Sequence, residues 1–93
     1  MNKTEKLTFI EGAFTDAEAK EILMNVFSTK INFHQTKNLS SQERFGKVDV
    51  VASKRIIALK KGLEKAMEMI TEANKNNKKL TIKSEINITI SDH

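Results

Sequence analysis

The sequence predicts an α+β fold with the element order β-α-α-β, in which an antiparallel helical hairpin packs on a small antiparallel sheet. An apolar stripe along residues 52–73, at steps of three and four, is typical of a long amphipathic helix. The alternation of apolar and polar residues along 80–90, interrupted only at Ser84, is typical of a strand with one buried face. No repeat or linker interrupts the chain, so we expect one domain over residues 1–93.

The first element is a predicted strand. Leu7, Thr8, Phe9 and Ile10 are rich in residues that favour strands, and their flanks are charged. This composition predicts a strand over about 5–11, which we expect Gly12 to end.

The second element is a predicted helix that begins after Thr15. The pattern Thr15-Asp16-Ala17-Glu18 is typical of a capping box, in which the Thr hydroxyl and the Glu carboxylate satisfy free backbone N–H groups. The apolar residues that follow share one helical face: Ala19, Ile22, Leu23, Val26, Phe27 and Ile31. The spacing predicts a helix over about 16–34, followed by an irregular stretch over 32–47.

The start of the second helix has two candidates. Ser40-Ser41-Gln42-Glu43 has a second capping-box pattern, which would start the helix early. Gly46 favours a later start with Asp49 as the N-cap, and we therefore predict a helix over about 49–74. The Asn- and Lys-rich residues 74–79 suit its C-terminal end, because Asn tolerates the left-handed conformation.

The last strand is predicted over 80–90, and its length favours an oligomer. A partner strand of about seven residues would leave part of it without backbone pairing, and a two-stranded ribbon is marginal alone. Val50, Val51, Ile57 and Met69 also lie off the main helical stripe. We therefore expect a homo-oligomer, most simply a dimer with the sheet extended between subunits. The predicted interface residues are Ile57, Leu63, Ile82, Ile86, Ile88 and Ile90.

The composition excludes several classes of protein. The chain has no Cys, which excludes disulfide scaffolds, Cys-ligated zinc, iron–sulfur clusters and thiol catalysis. Its N-terminal apolar run is too short for a signal peptide, and no segment approaches a membrane span. We expect a small basic protein of the cytoplasm without membrane contact.

The charge raises the question of nucleic acid. The formal net charge is +4, and all of the basic excess lies in residues 47–93. The candidate nucleic-acid contacts on the second helix and the loop at 75–79 are Lys54, Lys61, Lys65, Lys78 and Lys79. Interleaved Glu residues, few Arg and no interleaved aromatic residue favour a solvated helix face instead.

Candidate chemistry elsewhere is sparse. Arg44 and Lys47 flank Gly46 in a predicted turn, in which we expect Phe45 to plug the end of the helical hairpin and Phe33 to plug it from the other side. His34 has no Cys nearby, and a capping or surface role near a helix C-terminus is its expected role. We therefore predict no catalytic residue, no metal and no cofactor.

The predicted function is that of a non-enzymatic oligomeric protein acting through protein–protein interaction. The first alternative is a nucleic-acid accessory factor that uses the basic face of the second helix and the following loop. The second alternative is a small enzyme with a site between subunits near His34 and Arg44.

Overall fold

The computed structural model describes residues 3–92, and it confirms the predicted fold class. The elements in chain order are strand β1 (Lys3–Phe14), helix α1 (Asp16–Phe45), helix α2 (Val50–Lys75) and strand β2 (Leu80–Ile90). The two helices form a hairpin, and the two strands form an antiparallel sheet of two strands, called here the ribbon.

Helix α1 begins with the predicted capping box. The backbone N–H of Glu18 donates to Thr15 Oγ1 at 3.2 Å, and the backbone N–H of Thr15 donates to Glu18 Oε1 at 2.9 Å. The second of these hydrogen bonds is the main reason that the pKa of Glu18 lies below its usual value. The capping box thus fixes the chain direction one residue after β1 ends.

The predicted end of α1 near residue 34 is wrong, because the helix continues to Phe45 through the stretch expected to be irregular. Its side facing α2 changes from apolar to polar after Ile31. Asn38 Nδ2 donates to Ser53 Oγ at 3.1 Å, and Asn38 Oδ1 accepts from the backbone N–H of Asp49 at 2.9 Å. The end near residue 34 was predicted because the apolar stripe stops at Ile31. Beyond that residue these hydrogen bonds take the place of apolar contacts between the helices.

The turn between the helices settles where α2 begins. Gly46 ends α1 in the left-handed conformation, with φ of 71°, and Ser41 Oγ donates to the carbonyl of Lys47 at 2.8 Å. Asp49 is the N-cap of α2, and its Oδ1 accepts from the backbone N–H of Ala52 at 3.0 Å. The later start is therefore confirmed, and the early start in the Ser40-Ser41 region is wrong.

The predicted aromatic plugs at the hairpin end are also wrong. Phe45 is the last residue of α1, and 71% of its surface is exposed. Phe33 is 53% exposed. Polar hydrogen bonds of Asn38 and Ser41 hold this end of the hairpin together, and both rings remain available for other contacts.

The ribbon is longer than predicted. Strand β1 runs from Lys3 to Phe14 and pairs with β2 from Lys3–Ile90 to Phe14–Leu80, with a bulge between Thr8 and Ile10. Gly12 does not end the strand. It pairs with Ile82, and a Cβ there would lie 3.2 Å from Cζ of the Phe14 ring. One side of β2 is therefore paired along its whole length, and the expected shortage of strand partner is wrong.

The interior lies mainly between the two helices. Among the described residues, the buried apolar side chains are Ala19, Ile31, Ala52 and Ile70. The helices approach closely at Gly62, where a Cβ would lie 3.0 Å from Cε1 of Phe27. This core is small, because most other apolar side chains are only half-buried or are exposed.

The ribbon covers only part of the hairpin. Its apolar face is half-buried at Leu80 and Ile82. Exposure then rises along β2 to 40% at Ile86, 50% at Ile88 and 62% at Ile90. The molecule measures 50 × 36 × 15 Å. Two packed helices span about 14 Å between their outermost Cα atoms, so the ribbon, which meets α1 at Phe9 and Ile86, accounts for the rest of the 36 Å width and extends past the hairpin.

The capping box gives a direct test of how the fold begins. We expect Thr15→Ala to lower the free energy of unfolding by about 1 kcal/mol, because it removes the side-chain acceptor at the N-cap of α1. Thr15→Ser keeps the hydroxyl and should leave most of the stability in place. Urea denaturation followed by circular dichroism measures both, and equal midpoints for the Ala variant and the parent would contradict this role.

Candidate functional site

The structure has an unusually large surface for a chain of its length. Its radius of gyration is 16.7 Å, whereas a compact domain of this length has about 12 Å. Its solvent-accessible area is 7499 Å², whereas a folded monomer of 10.5 kDa has roughly 5,400 Å². A single chain therefore leaves exposed an area that a compact protein of its size would bury.

Part of this surface is an apolar area on the projecting end of the ribbon. The exposed apolar residues there, called here the ribbon patch, are Leu7, Phe9, Ile86, Ile88 and Ile90. Leu7 pairs with Ile86 across the strands, so both lie on one face of the ribbon. Phe9, in the bulge, and Ile86 border a cavity of about 380 Å³ against α1, which shows that this face is the one turned towards the helices.

The structure brings together only some of the predicted interface residues. Ile86, Ile88 and Ile90 belong to the ribbon patch. Ile82 and Leu63 are half-buried within the chain itself. Ile57 is exposed on α2, seven residues from Val50, and the two share a flank of the helix. Whether these residues contact a second subunit stays a prediction.

A second concave area lies near the turn of the hairpin. This cavity of about 280 Å³, called here the hairpin groove, is lined by His34, Lys37, Asp49, Val51 and Ala52. Beside it, the Phe33 ring makes an edge-on contact with the His34 ring, their centroids 5.2 Å apart. Lys30 Nζ lies 5.2 Å and Lys37 Nζ 5.8 Å from the Phe33 ring centroid, within cation–π distance.

His34 is the unusual side chain of the hairpin groove. Both ring nitrogens are shielded from solvent, and neither has a hydrogen-bond partner among residues 3–92. Loss of hydration lowers the pKa of the imidazole, and the positive charges of Lys30, Arg55 and Lys37 lower it further, against an opposing effect of Asp49. The predicted surface or capping role depended on an end of α1 at this residue, whereas the helix continues to Phe45.

The five candidate nucleic-acid lysines are exposed, but they form two separate groups. Lys54, Lys61 and Lys65 form a row along the outer side of α2. Further along α2, Glu68 and Glu72 continue the same side, so carboxylates separate this row from Lys78 and Lys79. The charge of Lys79 also acts on Glu18, where it helps to lower the pKa of that carboxyl group.

The candidate enzyme site is not assembled within one chain. His34 lines the hairpin groove, whereas Arg44 is exposed in the last turn of α1, about 15 Å further along the helix axis. In the part of the chain that the structure describes, no three His, Asp or Glu side chains are grouped so that they could hold a metal ion. A reaction involving both His34 and Arg44 would need groups from another subunit.

Comparison with family models, with curated proteins and with solved structures gave no match. No helix within residues 3–92 has the length and apolar character needed to cross a membrane.

The environment of His34 predicts a pH-dependent stability. Its pKa is lower in the folded chain than the value of about 6.5 expected when unfolded, so the unfolded state binds the proton more readily. The free energy of unfolding should therefore fall as the pH drops through about 6.5 towards the folded pKa. Urea denaturation between pH 7.5 and 5.5 should show this loss in the parent chain. His34→Gln should flatten it, and an unchanged slope in that variant would contradict the assignment.

Proposed function

We propose that the protein is a non-enzymatic, self-associating protein that acts through protein–protein interaction, and that its first partner is a second copy of itself. The observation that supports this proposal is the surface excess of roughly 2,000 Å² over a compact monomer of the same mass. Two copies would bury about 4,000 Å² between them, which is within the range of obligate homodimers.

The composition of the exposed surface supports the same proposal. Monomeric proteins rarely leave large contiguous apolar areas in water. Here the ribbon patch contains Phe9 and three isoleucines at the end of a strand pair that has little cover from the hairpin. A ribbon of two strands is marginally stable by itself, so covering this face would stabilise the fold as well as the assembly.

The free edge of β2 offers a route to a shared sheet. In the described residues β2 pairs with β1 on one side only. We propose that β2 of two copies pair about a two-fold axis, which would give a four-stranded sheet beside four helices. Such an interface is self-complementary and closes at two subunits. It would also protect a strand edge that has no Pro and few charges.

The cellular setting belongs to the same proposal. A chain without Cys gains nothing from an oxidising compartment, and its charged surface suits an aqueous environment. We propose the cytoplasm as its location. A protein partner of the assembled form would use exposed apolar residues outside the self-association surface, such as Val50 on the flank of α2.

The mass in solution tests self-association. Size-exclusion chromatography with light scattering at micromolar concentration should give twice the chain mass of 10.5 kDa. Ile88→Asp should shift the protein towards the monomer, because it would bury a charge in the ribbon patch. Asn87→Asp places the same charge on the opposite face of the ribbon and should leave the assembly intact. A parent chain that elutes only as a monomer would overturn the proposal.

Nucleic-acid binding is the second candidate function, and the exposure of all five lysines favours it. Fluorescence anisotropy with labelled DNA and RNA at low and moderate salt separates the two candidates, because phosphate contacts weaken steeply with salt. We expect no binding at low salt. Binding that is lost in a variant combining Lys54→Ala, Lys61→Ala and Lys65→Ala would instead establish the second function.

A further inference from the structure

The side of the hairpin that faces the ribbon is covered along only part of its length. The ribbon meets α1 around Val26, where Phe9 and Ile86 approach it. Phe33 lies seven residues, about two turns, further along and therefore on the same side of α1. It is nevertheless exposed, and the hairpin groove beside it has no ribbon residue in its lining.

Helix α2 shows the same arrangement. Met69 lines a cavity with Leu80 and Thr81 at the base of β2, which identifies the side of α2 next to the ribbon. Val51 precedes Met69 by eighteen residues, about five full turns, so it lies on that same side at the other end of the helix. Val51 is 72% exposed and lines the hairpin groove.

The hairpin groove is therefore a helix surface that lacks a ribbon, and the ribbon patch is a ribbon surface that lacks full cover by a helix. The groove lies on the ribbon-facing side of the hairpin but has no ribbon above it. The outer part of the ribbon patch, at Ile88 and Ile90, lies on the helix-facing side of the ribbon but past the point at which Phe9 and Ile86 meet α1. Five residues of each projecting strand extend about 17 Å, and the uncovered part of α1 after Lys30 extends about 22 Å.

The charges of the two surfaces are also compatible. Lys30, Lys37 and Arg55 place positive charge around His34 in the hairpin groove. Glu5 pairs with Ile88 and so places a carboxylate on the apolar face of the ribbon. Lys3, which pairs with Ile90, lies at the outermost end of that face. A carboxylate in the middle of the patch would meet a basic rim.

We propose that the ribbon patch of each copy docks in the hairpin groove of the other, so that each ribbon covers half of its own hairpin and half of its partner's. This proposal rests on the proposed self-association and names the surfaces that carry it. The contact is reciprocal, because every chain offers one patch and one groove, and a two-fold axis therefore closes the assembly at two subunits. It is compatible with pairing of the β2 edges, since both ribbons lie in one layer.

A second copy is the occupant that the areas favour. An ordinary interface with another protein takes about 800 Å² from each partner, whereas this chain has an excess of roughly 2,000 Å². A reciprocal dimer covers two separate surfaces of every chain at once, which accounts for an area of that size. The two surfaces are of similar length, and each would supply the cover that the other lacks.

The absence of Cys allows a crosslinking test with no background thiols. One purified variant carries Val51→Cys, and a second variant, distinguished in size by a tag, carries Ile88→Cys. The two variants are unfolded together and then refolded, so that mixed dimers form. After mild oxidation, a non-reducing gel should show the mixed disulfide dimer, which forms only between chains. We expect at least a tenfold higher yield than with Val50→Cys in place of Val51→Cys. Val50, at the preceding position, is 63% exposed against 72% for Val51, but it lies on another side of α2.

Light scattering before oxidation separates this proposal from the one on which it rests. A dimer that gives the Val51–Ile88 disulfide selectively supports the reciprocal docking. A dimer with equal yields from the Val51 and Val50 pairs overturns the docking but leaves self-association standing. A monomer overturns both. A second pair, Phe33→Cys with Ile88→Cys, tests the α1 side of the groove and remains informative should either α2 variant fail to fold.

Discussion

The rest of the structure depends on pairing between the two ends of the chain. Strands β1 and β2 are separated by both helices, so they can pair only if the hairpin returns the chain to the point at which it left the ribbon. The base of the hairpin enforces this return. Thr15 caps α1 directly after β1, and Asn74 Nδ2 of α2 donates to Asp16 Oδ2 at 2.6 Å. Asn77, in the left-handed conformation with φ of 55°, then turns the chain into β2.

A ribbon held at one end only has little to support its other end. The ribbon meets α1 at Phe9 and Ile86, but Ile88 and Ile90 towards its outer end are 50% and 62% exposed. The opposite end of the hairpin is held by hydrogen bonds of Asn38 and Ser41 and lacks a ribbon above it. Residues 3–92 of one chain include no further segment to cover both the outer end of the ribbon and the turn end of the hairpin. This shortage is the physical basis for proposing a second copy.

Elements with strong hydrophobic periodicity were predictable from the sequence, and elements with polar contacts were not. The alternation along β2 and the stripe along α2 gave their bounds to within a residue. The end of α1 was missed because polar contacts replace apolar ones there: Asn38 bonds Ser53 of α2, and Ser41 bonds Lys47 in the turn between the helices. The length of β1 was missed because Gly12 suggested a break, although it lies under the Phe14 ring within the strand. The hairpin groove was also not predicted, because His34 is a polar residue and does not extend the apolar periodicity of α1.

The separation of the paired strands along the chain also determines the order of folding. Lys3 and Ile90 are paired although nearly the whole chain lies between them, whereas the helical hairpin forms from neighbouring segments. Closing so long a loop is slow compared with joining two adjacent helices. The hairpin should therefore assemble first and leave both strands temporarily unpaired. At high concentration, β2 of one chain then competes for β1 of another, so the same topology that shapes the native molecule sets its tendency towards domain swapping.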